Sequence, residues 1–254
     1  MDHRPIQWFL GFQIKWDWNA RRISINQWAY IELMVEKFKL TNAKKVYTHM
    51  KQNAQFMNQQ CTSTLSQTWR MKGVPYAEAI RSVLWPTVIS RPDTAYTVGI
   101  MLHFIQNPGP VHWEEVKRII NYLGSMKNLW VTFGGNAKTL LEGYCNTDWA
   151  SQVHCQSISG FSFHYGSGAI SWSSKKQNIV TLSSTESEYV ALTHAGKEAI
   201  LLHFLSFFTS LLHFLSISHT TYSAITHTQL ILLTDIASYL THLFILLCSK
   251  LCTY

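Results

Sequence analysis

The feature that most limits what this chain can fold into is a change of periodicity near Leu129. Before that point apolar residues mostly recur at helical spacing, and after it they fall in short alternating runs separated by turns rich in Gly and Ser. The N-terminal part opens differently again. From Trp8 to Ile25 residues alternate around the polar turn Asp17-Trp18-Asn19-Ala20, which predicts a β-hairpin. Ile31, Met34, Val35 and Phe38 then share one helical face, giving an amphipathic helix that ends near Leu40. Thr41 to Lys72 has weak periodicity and is expected to be loop. Helices are expected over Tyr76–Leu84 and Thr94–Ile105, divided at Arg91-Pro92-Asp93, with Pro86 an awkward helical guest. A third follows the turn cluster Asn107-Pro108-Gly109-Pro110 and presents Val116, Ile119, Ile120 and Leu123 on one face.

Beyond the switch, strand candidates are Leu129–Phe133, Leu140–Asn146, Gly160–Tyr165, Ala169–Ser173 and Ile179–Leu182. A helix over Thr185–Ile200 follows, with Ser184 or Thr185 as its N-cap. Antiparallel strands succeeded by a helix predict an α/β or α+β fold.

Charge and thiols bound the function only loosely. Lys and Arg outnumber Asp and Glu by 21 to 14 and the pI is near 9.1, which suits a polyanion better than an acidic substrate. A plain basic globular protein fits the same balance. The five cysteines are scattered, and Cys248 with Cys252 lacks a second metal-binding pair, so reduced thiols in the cytoplasm or nucleus are expected. Met1 to Leu10 has no apolar core or cleavage site of the secretory type. The tail is the anomaly: from Ala199 to Tyr254 only Asp235 and Lys250 carry charge, and Gly and Pro are absent. Ile200–Ile217 and Leu230–Cys248 approach membrane-spanning length, but Ser, Thr and His interrupt both. Out-of-frame or degenerate sequence is the favoured reading of this tail.

The ordered blocks together resemble the Pol polyproteins of copia-type LTR retrotransposons, downstream of the polymerase active site. Gln7-Trp8-Phe9-Leu10-Gly11 and Gln27-Trp28-Ala29-Tyr30-Ile31 look like the segment after the polymerase palm. Val74-Pro75-Tyr76, Ser90-Arg91-Pro92-Asp93 and Asn107 to Trp113 look like the connection region. Asp148-Trp149-Ala150-Ser151, Ser157 to Phe161, Gly168 to Gln177 and Leu182 to Tyr189 resemble that family's ribonuclease H signature. The resemblance covers Ile6 to Ile200. It implies a reverse transcriptase thumb and connection remnant over residues 1–128, an incomplete ribonuclease H-like mixed sheet with flanking helices over 129–200, and an unrelated tail over 201–254.

It also implies what chemistry to look for. Polymerisation uses an Asp-Asp pair, and this chain has none. Ribonuclease H uses two magnesium ions held by about four clustered carboxylates to cut the RNA strand of a hybrid. The family pattern expects the first of them where this chain has Asn146, and a neutral amide binds a dication pair poorly. Asp148, two residues on, faces the same side of a strand and is either a substitute ligand or a solvated carboxylate. Glu188 matches the family's helical Glu, whereas Glu186 suits a helix start. Asp235 is the only candidate for the third ligand, and the fourth has no counterpart. Lys175, Lys176 and Gln177 beside Trp172 are candidates to grip a phosphate backbone, against the plainer reading of a solvated turn. Lys37, Lys39, Lys44 and Lys45 form a second basic cluster that suits a solvent face. The expected function is therefore a polyprotein fragment with a degraded nuclease site, partnered by nucleic acid and the rest of Pol. A magnesium-dependent hybrid nuclease built on Asp148, Glu188 and Asp235 is the alternative. Membrane attachment through the tail is a third reading and the least favoured.

Overall fold

A computed structural model describes residues 6–219 except 53, 55, 136–140 and 150–155. Two compact units divide the chain, Met1–Ala191 and Leu192–Tyr254. Asp235, the window Leu230–Cys248 and Cys155, Cys248 and Cys252 lie outside the described residues.

Within the first unit the expected hairpin forms from β2 (Phe12–Asp17) and β3 (Arg22–Asn26), with Asp17 opposite Arg22 across the turn. The Asp17 carboxylate accepts the Ala20 N–H at 3.0 Å, which explains why an acidic residue opens this turn. Alternation places Phe12, Ile14, Ile23 and Ile25 in the interior. A two-residue strand, β1 (Trp8–Phe9), adds to β2. On the other side β3 pairs with β4 (Val131–Gly134), so the sheet order is β1-β2-β3-β4. The strand expected at Leu129–Phe133 thus belongs with the N-terminal hairpin and not with the strands that follow it. Asn26 guides this return, its amide donating to the carbonyls of Lys127 (3.0 Å) and Leu129 (2.6 Å).

Between β3 and β4 lies a helical layer: α1 (Trp28–Lys37), α2 (Leu65–Met71), α3 (Tyr76–Ile89), α4 (Ala95–Leu102) and α5 (Pro110–Ser125). α2 corrects the expectation of loop through Thr41–Lys72. Thr64 caps it, its hydroxyl accepting the Gln67 N–H, and its large residues Leu65 and Trp69 are exposed, so no apolar stripe announced it. α3 continues straight through Pro86. The carbonyl that Pro86 leaves without a helical donor is that of Ser82, and the Tyr30 hydroxyl donates to it at 3.0 Å. The core contains Ile80, Val83, Met101, Ile119, Ile120 and Leu123.

Two polar features are buried in this layer. Arg91 donates to Asp93 through Nε (3.0 Å) and Nη2 (2.7 Å) and to the Met126 carbonyl at 3.2 Å, and the Tyr122 hydroxyl donates to Asp93 at 2.6 Å. Burial alone raises the Asp93 carboxyl, but the bonds and charge of Arg91 and the Tyr122 hydroxyl reverse this and hold it below its usual range. The Arg-Pro-Asp break is therefore a two-point clamp between the end of α3 and the end of α5. His112, in the first turn of α5, accepts the Gly109 N–H at Nδ1 and stacks on Phe104 with ring centroids 3.9 Å apart. Burial pushes its imidazole down to about 4.

A second sheet, ordered β5-β6-β7, follows: β5 (Leu141–Asp148), β6 (Ile158–Tyr165) and β7 (Gly168–Lys176), all antiparallel. Ile158 joins the helical core, and the buried Trp172 donates through Nε1 to the Thr87 carbonyl at 2.8 Å. Ile179–Leu182 is not a strand: it leads to the helix α6 (Ser184–His219) with Ile179, Val180 and Leu182 exposed and Thr181 buried, and α6 continues into the second unit. No described helix is long and apolar enough to cross a membrane.

Candidate nucleic-acid and metal site

The candidate residues lie on β5, at the end of β7 and in the first turns of α6. β5 is an exposed strand: every residue except Thr147 is open to solvent. Its register pairs Asn146 with Gly160, Thr147 with Ser159 and Asp148 with Ile158. Asn146 and Asp148 therefore share one face of the strand and Thr147 takes the other. The Asn146 side-chain oxygen accepts the N–H of Thr147 at 2.9 Å, turning the amide onto its own backbone. Asp148 accepts a hydrogen bond from the Tyr96 hydroxyl of α4 at 3.0 Å.

Across the sheet Lys176 pairs with Ile158, and Lys175 with Ser159. Lys176 is thus in the row of Asp148 two strands away, about 10 Å at ordinary strand spacing. Lys175 is exposed and Lys176 half-buried, so both are open to an anion. Gln177 is not. It is 1 % exposed, and its amide nitrogen donates to Ser159 Oγ (2.9 Å), the Ser187 carbonyl (2.9 Å) and, at longer range, Thr147 Oγ1 (3.4 Å). The expected phosphate contact by Gln177 is replaced by an internal tie, a role that its position after two lysines did not announce.

α6 begins with a reciprocal cap. The Glu186 N–H donates to Ser183 Oγ at 3.2 Å and the Leu182 N–H donates to Glu186 Oε2 at 2.8 Å. The cap is therefore Ser183, one residue before the expected Ser184 and two before Thr185, and Glu186 is the helix-start residue. Glu188 is exposed one turn in, directly after Ser187, whose carbonyl receives Gln177.

The described donors number fewer than the roughly four clustered carboxylates that a pair of magnesium ions takes. Among the described residues no three His, Cys, Asp or Glu side chains come close enough to hold a metal. Asn146 brings a neutral oxygen already engaged with the Thr147 N–H, and the Asp148 carboxylate is engaged with Tyr96. Asp235 lies outside the described residues.

Similarity to known proteins bears on the same segments. The chain is 39% identical over 189 residues to the retrovirus-related Pol polyprotein from transposon TNT 1-94 of Nicotiana tabacum, covering 74% of this chain and 14% of that one. It is 30% identical over 193 residues to the retrovirus-related Pol polyprotein from transposon RE1 of Arabidopsis thaliana, covering 74% of this chain and 12% of that one. It is also 42% identical over 120 residues to secreted RxLR effector protein 161 of Plasmopara viticola, covering 47% of this chain and 84% of that protein. No family model matches the chain, and no solved structure does. Across 74% of its own length the chain is a homologue of the retrovirus-related Pol polyproteins of transposons, and it spans a small segment of them.

Proposed function

We propose that the chain is a segment of a copia-type Pol polyprotein that joins the end of a reverse transcriptase to a ribonuclease H-like domain whose nuclease site has been lost. The observation that carries this is Asn146 on β5, where the resemblance expects the first metal-binding carboxylate, in the opening strand of a three-stranded antiparallel sheet that is followed by a helix bearing Glu188. In this reading residues 1–128 are a thumb and connection remnant and residues 129–200 the ribonuclease H-like part. Residues 201–254 are an aberrant tail. The partners are an RNA-DNA hybrid or other nucleic acid and the remainder of Pol, in the cytoplasm or nucleus. Lys175 and Lys176 offer the phosphate contacts, which are independent of catalysis and salt-sensitive. Magnesium, in an intact relative of this kind, activates water for phosphodiester hydrolysis.

Cleavage of a labelled RNA-DNA hybrid with magnesium tests the reading, with Asn146→Asp and Glu188→Ala run alongside. The wild-type chain is expected to be inert, and regained cutting by Asn146→Asp shows an intact scaffold in which the lost carboxylate accounts for the loss. Cutting by the wild type that Glu188→Ala abolishes overturns the assignment of a lost site and favours the active nuclease.

A further inference from the structure

Gln177 occupies an unusual position: a wholly buried amide at the point where β7 has ended and α6 has not begun. Its nitrogen faces three oxygens from three elements, Thr147 on β5, Ser159 on β6 and Ser187 in the first turn of α6. The orientation of the amide follows from these partners. The Ser187 carbonyl only accepts, so the group 2.9 Å from it must be the NH2, and a flipped amide sets two oxygens against each other. Thr147 gives its own hydroxyl proton to the Ile158 carbonyl at 3.2 Å, leaving its oxygen to accept from Gln177. The Gln177 backbone N–H donates to the Ser157 carbonyl at 2.8 Å, fixing the loop from which the side chain projects. The Gln177 side-chain oxygen has no partner among the described residues, so the amide's contribution comes from its nitrogen.

The residues it holds matter. Thr147 lies between Asn146 and Asp148, and Ser187 directly precedes Glu188. We infer that Gln177 is a positioning residue: one buried amide sets the spacing between the strand that carries Asn146 and Asp148 and the helical turn that carries Glu188. The positional role rests on the proposed ribonuclease H ancestry only in what that spacing once served. The tie itself rests on hydrogen bonds and burial.

The full chain tests this with Gln177→Leu and Gln177→Glu. Leucine is close in size and makes none of the bonds, so its unfolding midpoint is expected to fall by about 5 °C, by the same amount across pH. A protonated glutamic acid can still donate to the Ser187 carbonyl, whereas an ionised one repels it. Its folded-state pKa is therefore raised, and Gln177→Glu is expected to approach the wild-type midpoint near pH 4 and to lose that stability as pH rises through the folded pKa. Equal deficits for both variants at every pH reduce Gln177 to packing and overturn the inference. Adding Gln177→Leu to Asn146→Asp is expected to lower the kcat for hybrid cleavage at least tenfold while leaving KM within twofold. An unchanged kcat in a cutting Asn146→Asp background also overturns the positioning role. Should Asn146→Asp fail to cut, more than one ligand of the proposed site is lost, and the pH signature alone decides the tie.

Discussion

The helical layer and strand β5 are built by opposite rules. In the layer a buried cation, Arg91, is answered by Asp93 and by the Met126 carbonyl, and Asp93 in turn by Tyr122. On β5 nearly every residue is exposed, the side chains of Asn146 and Tyr144 hydrogen-bond only to near neighbours, and Asp148 is tied to the layer by the Tyr96 hydroxyl. The fold is held by the first region, while the candidate chemistry lies on the second. A side chain on such a strand can change with little cost to folding, so the scaffold and the candidate site can vary separately.

The contrast breaks or sharpens under substitution. Arg91→Ala removes a buried side chain together with its bonds to Asp93 and the Met126 carbonyl and is expected to cost about 3 kcal/mol in urea unfolding. A loss under ~1 kcal/mol means the clamp contributes nothing to the layer. Ile119→Ala opens a cavity at a fully buried position and is expected to cost about 3 kcal/mol. Acid should act on the same layer through His112. Its imidazole is held neutral down to about 4, against 6.5 for the unperturbed group, so the unfolded chain takes up the proton first. Stability is therefore full above pH 6.5 and falls by roughly 3 kcal/mol as the pH drops through that window, a slope that His112→Phe should flatten. Tyr96→Phe removes one exposed hydrogen bond to Asp148 and is expected to cost under ~1 kcal/mol. Asn146→Asp should move stability by less than ~0.5 kcal/mol, and a large loss there shows that β5 is structural after all.

Legibility followed the same division. Alternation exposed the β2–β3 hairpin, and the stripe of Val116, Ile119, Ile120 and Leu123 exposed α5, because each is a local pattern imposed by a buried face; β5 has no buried face and was marked by the Gly- and Ser-rich turns around the later strands. α2 escaped because Leu65 and Trp69 face solvent and only the Thr64 cap marks it. Ile179 and Val180 are β-branched and misled in the other direction, for they are exposed and unpaired in any sheet among the described residues. Of the candidate site, Asn146 and Glu188 are assigned by resemblance to a family pattern and not by any local pattern of the sequence. Gln177 was read as a surface contact because its bonds reach residues 10, 18 and 30 positions away, and no local pattern encodes them.

The pairing of β3 with β4 has a consequence in time. Ser24 meets Thr132 across 108 positions of chain, with every helix from α1 to α5 enclosed between them. Closing a loop of that length in a disordered chain costs about 4 kcal/mol of entropy, which no single hairpin repays. The helices must shorten the loop first, so β4 is expected to dock late. During synthesis Ile23 and Ile25 wait with one neighbouring strand until Phe133 has left the ribosome. The first sheet is thus a clasp that shuts last, and a chain released before Gly134 leaves it open.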